Sequence, residues 1–359
     1  MPTETAPPTT EGAFAPGDAA LPVEQRRTVN RRFALGRGQG SLTLDTRYGR
    51  VQVVAWQRPE IRVEAELVAR AETPDQAAAL LAELGVDWLA YDLRTGGVAV
   101  SSRYGAGRRG GAGGDRRYEI NYQVWAPAAV ALRVQAAFAD VLVRGDWHGP
   151  VRLQVSYGNL RTDRLEGPGS EVRIANGAAT CAYLRAARLR ADYARLSLGG
   201  GGQLDLQTNY ADVDLGAVQN LTVHSTYGAV ALGRVRTLRG SSGFARFRVA
   251  ELSEGLDMAL RYCPDFEVRE LGAAFRQVTV DGGFSTIRLG CGPDRPGFHF
   301  AVSTEQGQLL VDEKLVRGLA RYEAASGAAD VRGVFGGGKA IGTGLVRVRV
   351  RYGTVRLGR

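Results

Sequence analysis

The chain has 359 residues, among them 48 glycines and three cysteines, and its 46 Lys and Arg against 37 acidic residues leave a formal charge of +9. That much glycine suits many tight turns and disfavours a largely helical protein, and the lack of a Gly-X-Y period excludes a collagen-like one. The charge permits attraction to nucleic acid, anionic polysaccharide or lipid headgroups without selecting one. Cys181, Cys263 and Cys291 are widely spaced and form no zinc signature, and a single disulfide among them stays open. No 18-residue apolar run exists, so no transmembrane helix is expected.

Residues 1–31 begin MPTETAPPTTEGAFAPGDAA, rich in Pro, Thr and Ala, and are expected to be disordered. They show no basic-then-apolar export signal. Residues 32–126 read as an N-terminal β region, in which SLTLDTRYGRVQVVAW and IRVEAELVAR alternate with period two. TPDQAAALLAELG then predicts a helix over 73–84. Thr73 caps it, Pro74 fits the first helical position, Gln76 completes a capping-box pattern, and Ala77, Leu80, Leu81 and Leu84 form one apolar stripe. That stripe is expected to pack on a sheet or cover an open strand edge. Strands are predicted from Val86 to Leu93 and Val98 to Val100, followed by an exposed Gly- and Arg-rich loop at 105–117. Its Arg108, Arg109, Arg116 and Arg117 are the densest basic cluster, but no aromatic stacking platform is interleaved with them.

A short phrase recurs through residues 127–300. It reads FADVLV from Phe138, YGNLRT from Tyr157, YARLSL from Tyr193, YADVDL from Tyr210, YGAVAL from Tyr227 and FARFRV from Phe244. Asn176-Gly177 stands where another aromatic-Gly pair is due, and isolated copies occur near the ends at Tyr48 and Tyr352. After Phe244 the spacing loosens, with Cys263-Pro264 replacing the Gly-plus-variable step behind Tyr262, and Phe284 restores the pattern. Strand-sized pieces at a fixed short period predict an all-β fold: a single-stranded β-solenoid, or β-helix-like repeat, with coils of about 17–19 residues plus the one short helix. One such coil cannot bury its apolar face alone, whereas stacking at about 4.8 Å lets each backbone pair with the next. Parity places Leu204, Leu206, Thr208, Tyr210, Val213 and Leu215 on the interior face, and Leu221, Val223, Ser225 and Tyr227 likewise. The expected structural ladder is therefore Phe138, Tyr157, Tyr193, Tyr210, Tyr227 and Phe244.

Residues 301–359 are expected to complete or cap the solenoid. KLVRGLARYEAASGAADVRG, from Lys314, is weakly patterned and reads as loop, while LVRVRVRYGTVRLG is a strongly alternating strand pair. Its outward Arg347, Arg349 and Arg351 make a basic stripe suited either to an anionic partner or to keeping a strand edge soluble.

The chemistry-bearing motifs are thin. GVFGGGKA, from Gly333, matches GxxxxGK but has Ala340 where a P-loop needs Ser or Thr, and a strand rather than a helix follows. His148, His224 and His299 have no second imidazole nearby in sequence. Asp140 and Asp212 share the variable position of the phrase, with Asp214 close by, so stacked coils could assemble a calcium site or an acid pair for hydrolysis. The equivalent positions hold Asn159, Arg195 and Arg246, which breaks any carboxylate row. No cofactor, metal or catalytic residue is predicted.

SLTLDTRYGRVQVVAWQRPEIRVEAEL, YEINYQVWAP and the YGNL, YADV and YGAV phrases together resemble a bacterial family of β-strand-repeat proteins described as putative adhesins, common in Bacteroidetes. The resemblance would run from about Arg32 to the C-terminus. It implies a non-enzymatic, cell-envelope-associated binding or structural protein, with an anionic cell-surface polymer or an envelope protein as partner. A cytoplasmic or periplasmic interaction scaffold and a polysaccharide-active hydrolase are the competing readings.

Overall fold

Alternating apolar and polar residues carry directly into the backbone of the computed structural model, which describes residues 23–35, 40–91, 96–105, 116–292, 296–323, 327–336 and 341–358. The protein is all-β with one short α-helix, and its strands join in one hydrogen-bonded network. The N-terminal part comprises β1 (Val23–Ala34), β2 (Ser41–Trp56), β3 (Glu60–Ala71), α1 (Pro74–Glu83), β4 (Gly85–Tyr91), β5 (Gly97–Arg103) and β6 (Arg116–Pro127). β1 and β6 flank β3 in antiparallel register. β2 runs parallel to β5 and β6 on one side and to β7 (Ala131–Arg144) on the other.

Several expectations for this region need correction. The segment expected to stay disordered through residue 31 is a strand from Val23 onward, while residues 1–22 lie outside the described residues. Partners across the chain explain the order: Arg26 bonds Glu66, Arg27 donates to the Leu84 carbonyl at 2.6 Å, and Phe33 lies 6.1 Å from the Trp88 ring. Pairing every residue of β1 with β3 outweighs its polar composition. Arg116 and Arg117, expected in a loop, lie on β6 opposite Ala71 and Arg70; Arg108 and Arg109 fall outside the described residues. The helix spans Pro74–Glu83, with the Thr73 hydroxyl accepting from the Gln76 N–H at 3.4 Å. The return bond of a capping box is not made, because Gln76 Oε1 is buried without a partner. Ala77, Leu80 and Leu84 are buried, and the helix packs on β1 and β3.

Next along the chain are β8 (Val151–Ser156), β9 (Asn159–Leu165), β10 (Ser170–Ala175), β11 (Ala178–Asp192), β12 (Arg195–Arg261, several repeats of continuously paired strand with left-handed turns at Tyr210, Tyr227 and Phe244), β13 (Asp265–Leu271), β14 (Gln277–Gly283) and β15 (Thr286–Gly290). Each repeat pairs in parallel with the next, so equivalent residues meet. Val134 faces Leu153, Leu153 faces Val172, Val172 faces Leu189, and Leu189 faces Leu206. All five are buried, and such rows run together into one apolar core. Burying the row while every backbone group pairs with a neighbouring repeat satisfies both demands on a strand at once.

The C-terminal part departs from sequence order. β16 (Gly297–Glu305), β17 (Gln308–Val311), β18 (Val316–Glu323) and β19 (Ala328–Phe335) come before β20 (Ile341–Arg351) and β21 (Thr354–Gly358). Yet β20 and β21 lie between earlier strands, parallel to β14 and β15 on one side and to β16 and β17 on the other. The Arg347–Arg351 stripe therefore belongs to an interior strand of the sheet and not to an edge. The stretch from Lys314 read as loop forms β18 and most of β19, an antiparallel pair whose β18 residues are almost all exposed. β18 has no buried face to constrain its composition, so no periodicity marks it.

Candidate functional site

The surface feature that sets this protein apart begins with backbone geometry. Among the described residues twelve non-glycines have positive φ, between 49° and 56°: ten aromatics (Tyr48, Phe138, Tyr157, Tyr193, Tyr210, Tyr227, Phe244, Tyr262, Phe284, Tyr352), Asn176 and Gln306. The left-handed region costs an L-residue about 1–2 kcal/mol, and bulky residues seldom occupy it. Here it recurs at the same place in successive repeats, where it turns the chain and throws the side chain outward. The residue after it is small because the neighbouring repeat's backbone is close. A Cβ at Gly158 would come within 2.1 Å of the Ala139 carbonyl oxygen, and Cys263 fills the equivalent place while fully buried.

This geometry overturns the interior placement of the aromatics. Leu204, Leu206 and Thr208 are buried as expected, but Tyr210 is 47% exposed and Ala211 takes the next interior place. Strict alternation assumes extended φ at each step, and one left-handed residue shifts the parity by one. The same holds for Phe138, Tyr157, Tyr193 and Phe244, all exposed, and Tyr227 is only partly covered.

On the outside the rings form a column. Phe138 and Tyr157 stack at 4.8 Å, Tyr193 and Tyr210 at 5.1 Å, Tyr210 and Tyr227 at 4.4 Å, and Tyr227 and Phe244 at 5.1 Å. Tyr262, Phe284 and Tyr352 continue it at 4.9 Å per step, and Tyr48 adjoins Phe138 at 5.3 Å. Tyr48 and Tyr352 read in the sequence as isolated copies and Tyr262 as a loosened one before Phe284 restores the pattern, and all four belong to the stack. Their shared left-handed backbone was the signal, and spacing alone could not reveal it. Partial desolvation against its neighbours raises the Tyr210 phenol above the ordinary tyrosine value, with Tyr227 and Tyr193 adding to the effect. Because each ring covers the face of the next, the column offers solvent a strip of ring edges and phenol hydroxyls.

The other candidates are dispersed. Arg347, Arg349 and Arg351 are exposed but flanked in register by Thr279 and Ala301, Asp281 and Ser303, and Gly283 and Glu305. Arg351 pairs with Glu305 at 3.0 Å, so the stripe is interleaved with acid. Asp140 accepts from both the backbone and the side-chain N–H of Asn159 at 3.0 Å. Four repeats separate it from Asp212, roughly 19 Å at the strand spacing, so these two do not form the closely spaced pair that glycoside hydrolysis needs. His148, in the connection between β7 and β8, His224 on β12 and His299 on β16 are exposed and far apart along the chain, and His224 Nδ1 meets Ser241 Oγ at 3.1 Å. Cys181, Cys263 and Cys291 are buried and joined in no disulfide, with burial pushing the Cys181 thiol up to about 11. Gly333–Phe335 sit on β19, β20 opens at Ile341, and residues 337–340 lie outside the described residues. Among the described residues no cluster of three or more His, Cys, Asp or Glu could hold a metal ion, and no helix is long and apolar enough to cross a membrane. A polar groove of 880 Å³ crosses several repeats away from the column, lined in part by Arg188, Asp205, Asn220, Arg236 and Glu254. Within it Asp205 Oδ1 is buried without a hydrogen-bond partner.

No family model and no curated protein matches the chain. Among solved structures, a putative cell adhesion protein from Clostridium sporogenes is 8% identical, with coverage of 93% of this chain and 99% of its own and a TM-score of 0.21. A putative adhesin from Bacteroides fragilis is 10% identical, covering 92% and 97%, with a TM-score of 0.24. One from Parabacteroides merdae is 8% identical, covering 92% and 96%, with a TM-score of 0.28. TM-scores this low leave fold and role to be judged from this chain alone.

Proposed function

We propose that the chain is a non-enzymatic, adhesin-like β-solenoid of the cell envelope that binds a polymer or an envelope protein along its outward faces. Parallel in-register pairing of successive repeats supports the solenoid, with coils of 17–19 residues following the sequence period. The observation that carries the binding role is the exposed aromatic column. A corner needing only left-handed backbone is met at least cost by glycine or asparagine. Eight of the ten aromatics there are exposed and keep a strip of apolar edge in water, and an extended exposed strip of this kind suits contact with an elongated partner. At the strand spacing the column from Tyr48 to Tyr352 is about 48 Å long, which matches a chain lying along it.

The test is co-sedimentation of the purified chain with isolated cell envelopes and with their extracted polysaccharide. Wild type is expected to pellet with one of them, and the triple variant Tyr193→Ser, Tyr210→Ser, Tyr227→Ser, verified as folded, to pellet at least several-fold less. Equal pelleting of both proteins, or none by either, would reject the column as the binding face.

A further inference from the structure

We infer that the break in the aromatic column at Asn176 is a receptor slot for a single tyrosine side chain of a partner protein. Asn176 takes the same left-handed conformation as its aromatic counterparts, with φ of 52°. Its N–H bonds the Asp192 carbonyl at 3.1 Å, just as Tyr157 bonds Ala175 and Tyr193 bonds Asn209. The following residues are in register too, since Ala178 faces Asn159 on one side and Arg195 on the other. Asn176 is therefore a full member of the column that carries no ring.

The consequence falls on its two neighbours. Among the described residues Tyr157 stacks only on Phe138, and Tyr193 only on Tyr210. Each has one face with no ring stacked on it, and both of those faces look toward Asn176. Their exposures agree: Tyr157 at 55% and Tyr193 at 60% exceed every other exposed member of the column, the rest lying between 47% and 51%. Among the described residues no guanidinium lies over either ring, the cation–π contacts being on Trp88, Trp56, Trp125 and Tyr183.

Two repeats separate Tyr157 from Tyr193, so their rings stand about 9.6 Å apart at the strand spacing. A flat ring midway would lie about 4.8 Å from each, within the range for stacked aromatics and within the 4.4–5.3 Å steps that the column itself uses. A partner's ring must enter from solvent, tip first, toward Asn176. The Asn176 amide offers a donor and an acceptor there, which suits a phenol hydroxyl and leaves phenylalanine without a polar contact. The slot depends on one repeat and stands whether or not the long column engages a polymer.

Saturation-transfer NMR on the full chain tests this, with N-acetyltyrosinamide as probe and methyl glucopyranoside as the sugar control. Transfer to the phenol ring protons is expected from wild type and from Asn176→Gly, and at least five-fold weaker transfer from Asn176→Tyr, whose own ring fills the slot. Asn176→Tyr is also expected to melt at or above the wild-type temperature, because it completes the stack. Equal phenol transfer from wild type and Asn176→Tyr, or none from wild type, would overturn the slot. So would a melting temperature for Asn176→Tyr several degrees lower, which would mean that a ring does not fit. Sensitivity to Asn176→Tyr seen for the sugar and not for the phenol would overturn tyrosine as the occupant.

Discussion

Tyr210 shows how one residue balances opposing terms. It carries left-handed backbone strain and stacks on Tyr193 and Tyr227. Alanine there would lose both stacking contacts, worth about 0.5–1.5 kcal/mol each, while keeping the strain. Glycine loses the same contacts but escapes a strain of about 1–2 kcal/mol. Urea denaturation should therefore place Tyr210→Ala about 1–3 kcal/mol below wild type and Tyr210→Gly between the two. An interior aromatic would lose about 3–5 kcal/mol on truncation and show no such rescue by glycine. The sequence made the recurrence of these aromatics plain but not their side of the sheet. From Leu204 to Thr208 the alternation reads correctly, and it fails at Tyr210 because period two presumes one backbone conformation throughout. Asn176 was legible as a position due an aromatic, but the unstacked ring faces on either side of it were not, since they depend on which way the neighbouring rings point.

Among the elements, β20 differs most from its sequence reading. LVRVRVR announces a strand, yet nothing in it distinguishes an edge from a strand paired on both sides. Spatial order among parallel strands is a long-range property that local pattern does not encode. Val348 is buried and faces Val280 on β14 and Val302 on β16. A proline there would break ladder bonding and disturb the core, whereas Leu319 falls at the register shift between Arg317 and Ala320 on exposed β18. Val348→Pro should lower the melting temperature by about ten degrees or more or abolish folding, because it removes a ladder hydrogen bond in the middle of the sheet. Leu319→Pro should shift it by only a few degrees. Similar losses from the two would contradict the central placement of β20. The helix lies at the legible extreme: its cap, its proline and its apolar stripe are all local signals, and the structure places it within one residue of the predicted end.

For the molecule as a whole, the parallel register makes stability additive along the array. Deleting residues 211–227 removes one 17-residue repeat and joins Tyr210 to Gly228, which keeps each row of buried residues in line. That variant should unfold cooperatively by circular dichroism with a melting temperature within several degrees of wild type. Deleting only 211–219 puts apolar residues at outward positions and should abolish the cooperative transition. Equal damage from both deletions would show that the repeats are not interchangeable units. The placement of β20 and β21 also bears on the order in which the protein can be assembled. Both are translated after β14, β15, β16 and β17, the strands they separate. Those earlier strands cannot close on one another without shutting out the segment still to come. During synthesis, then, the nascent chain must carry an unsealed seam, and whatever meets it at that stage, a chaperone or a second copy, encounters two hydrogen-bonding borders that the finished protein hides.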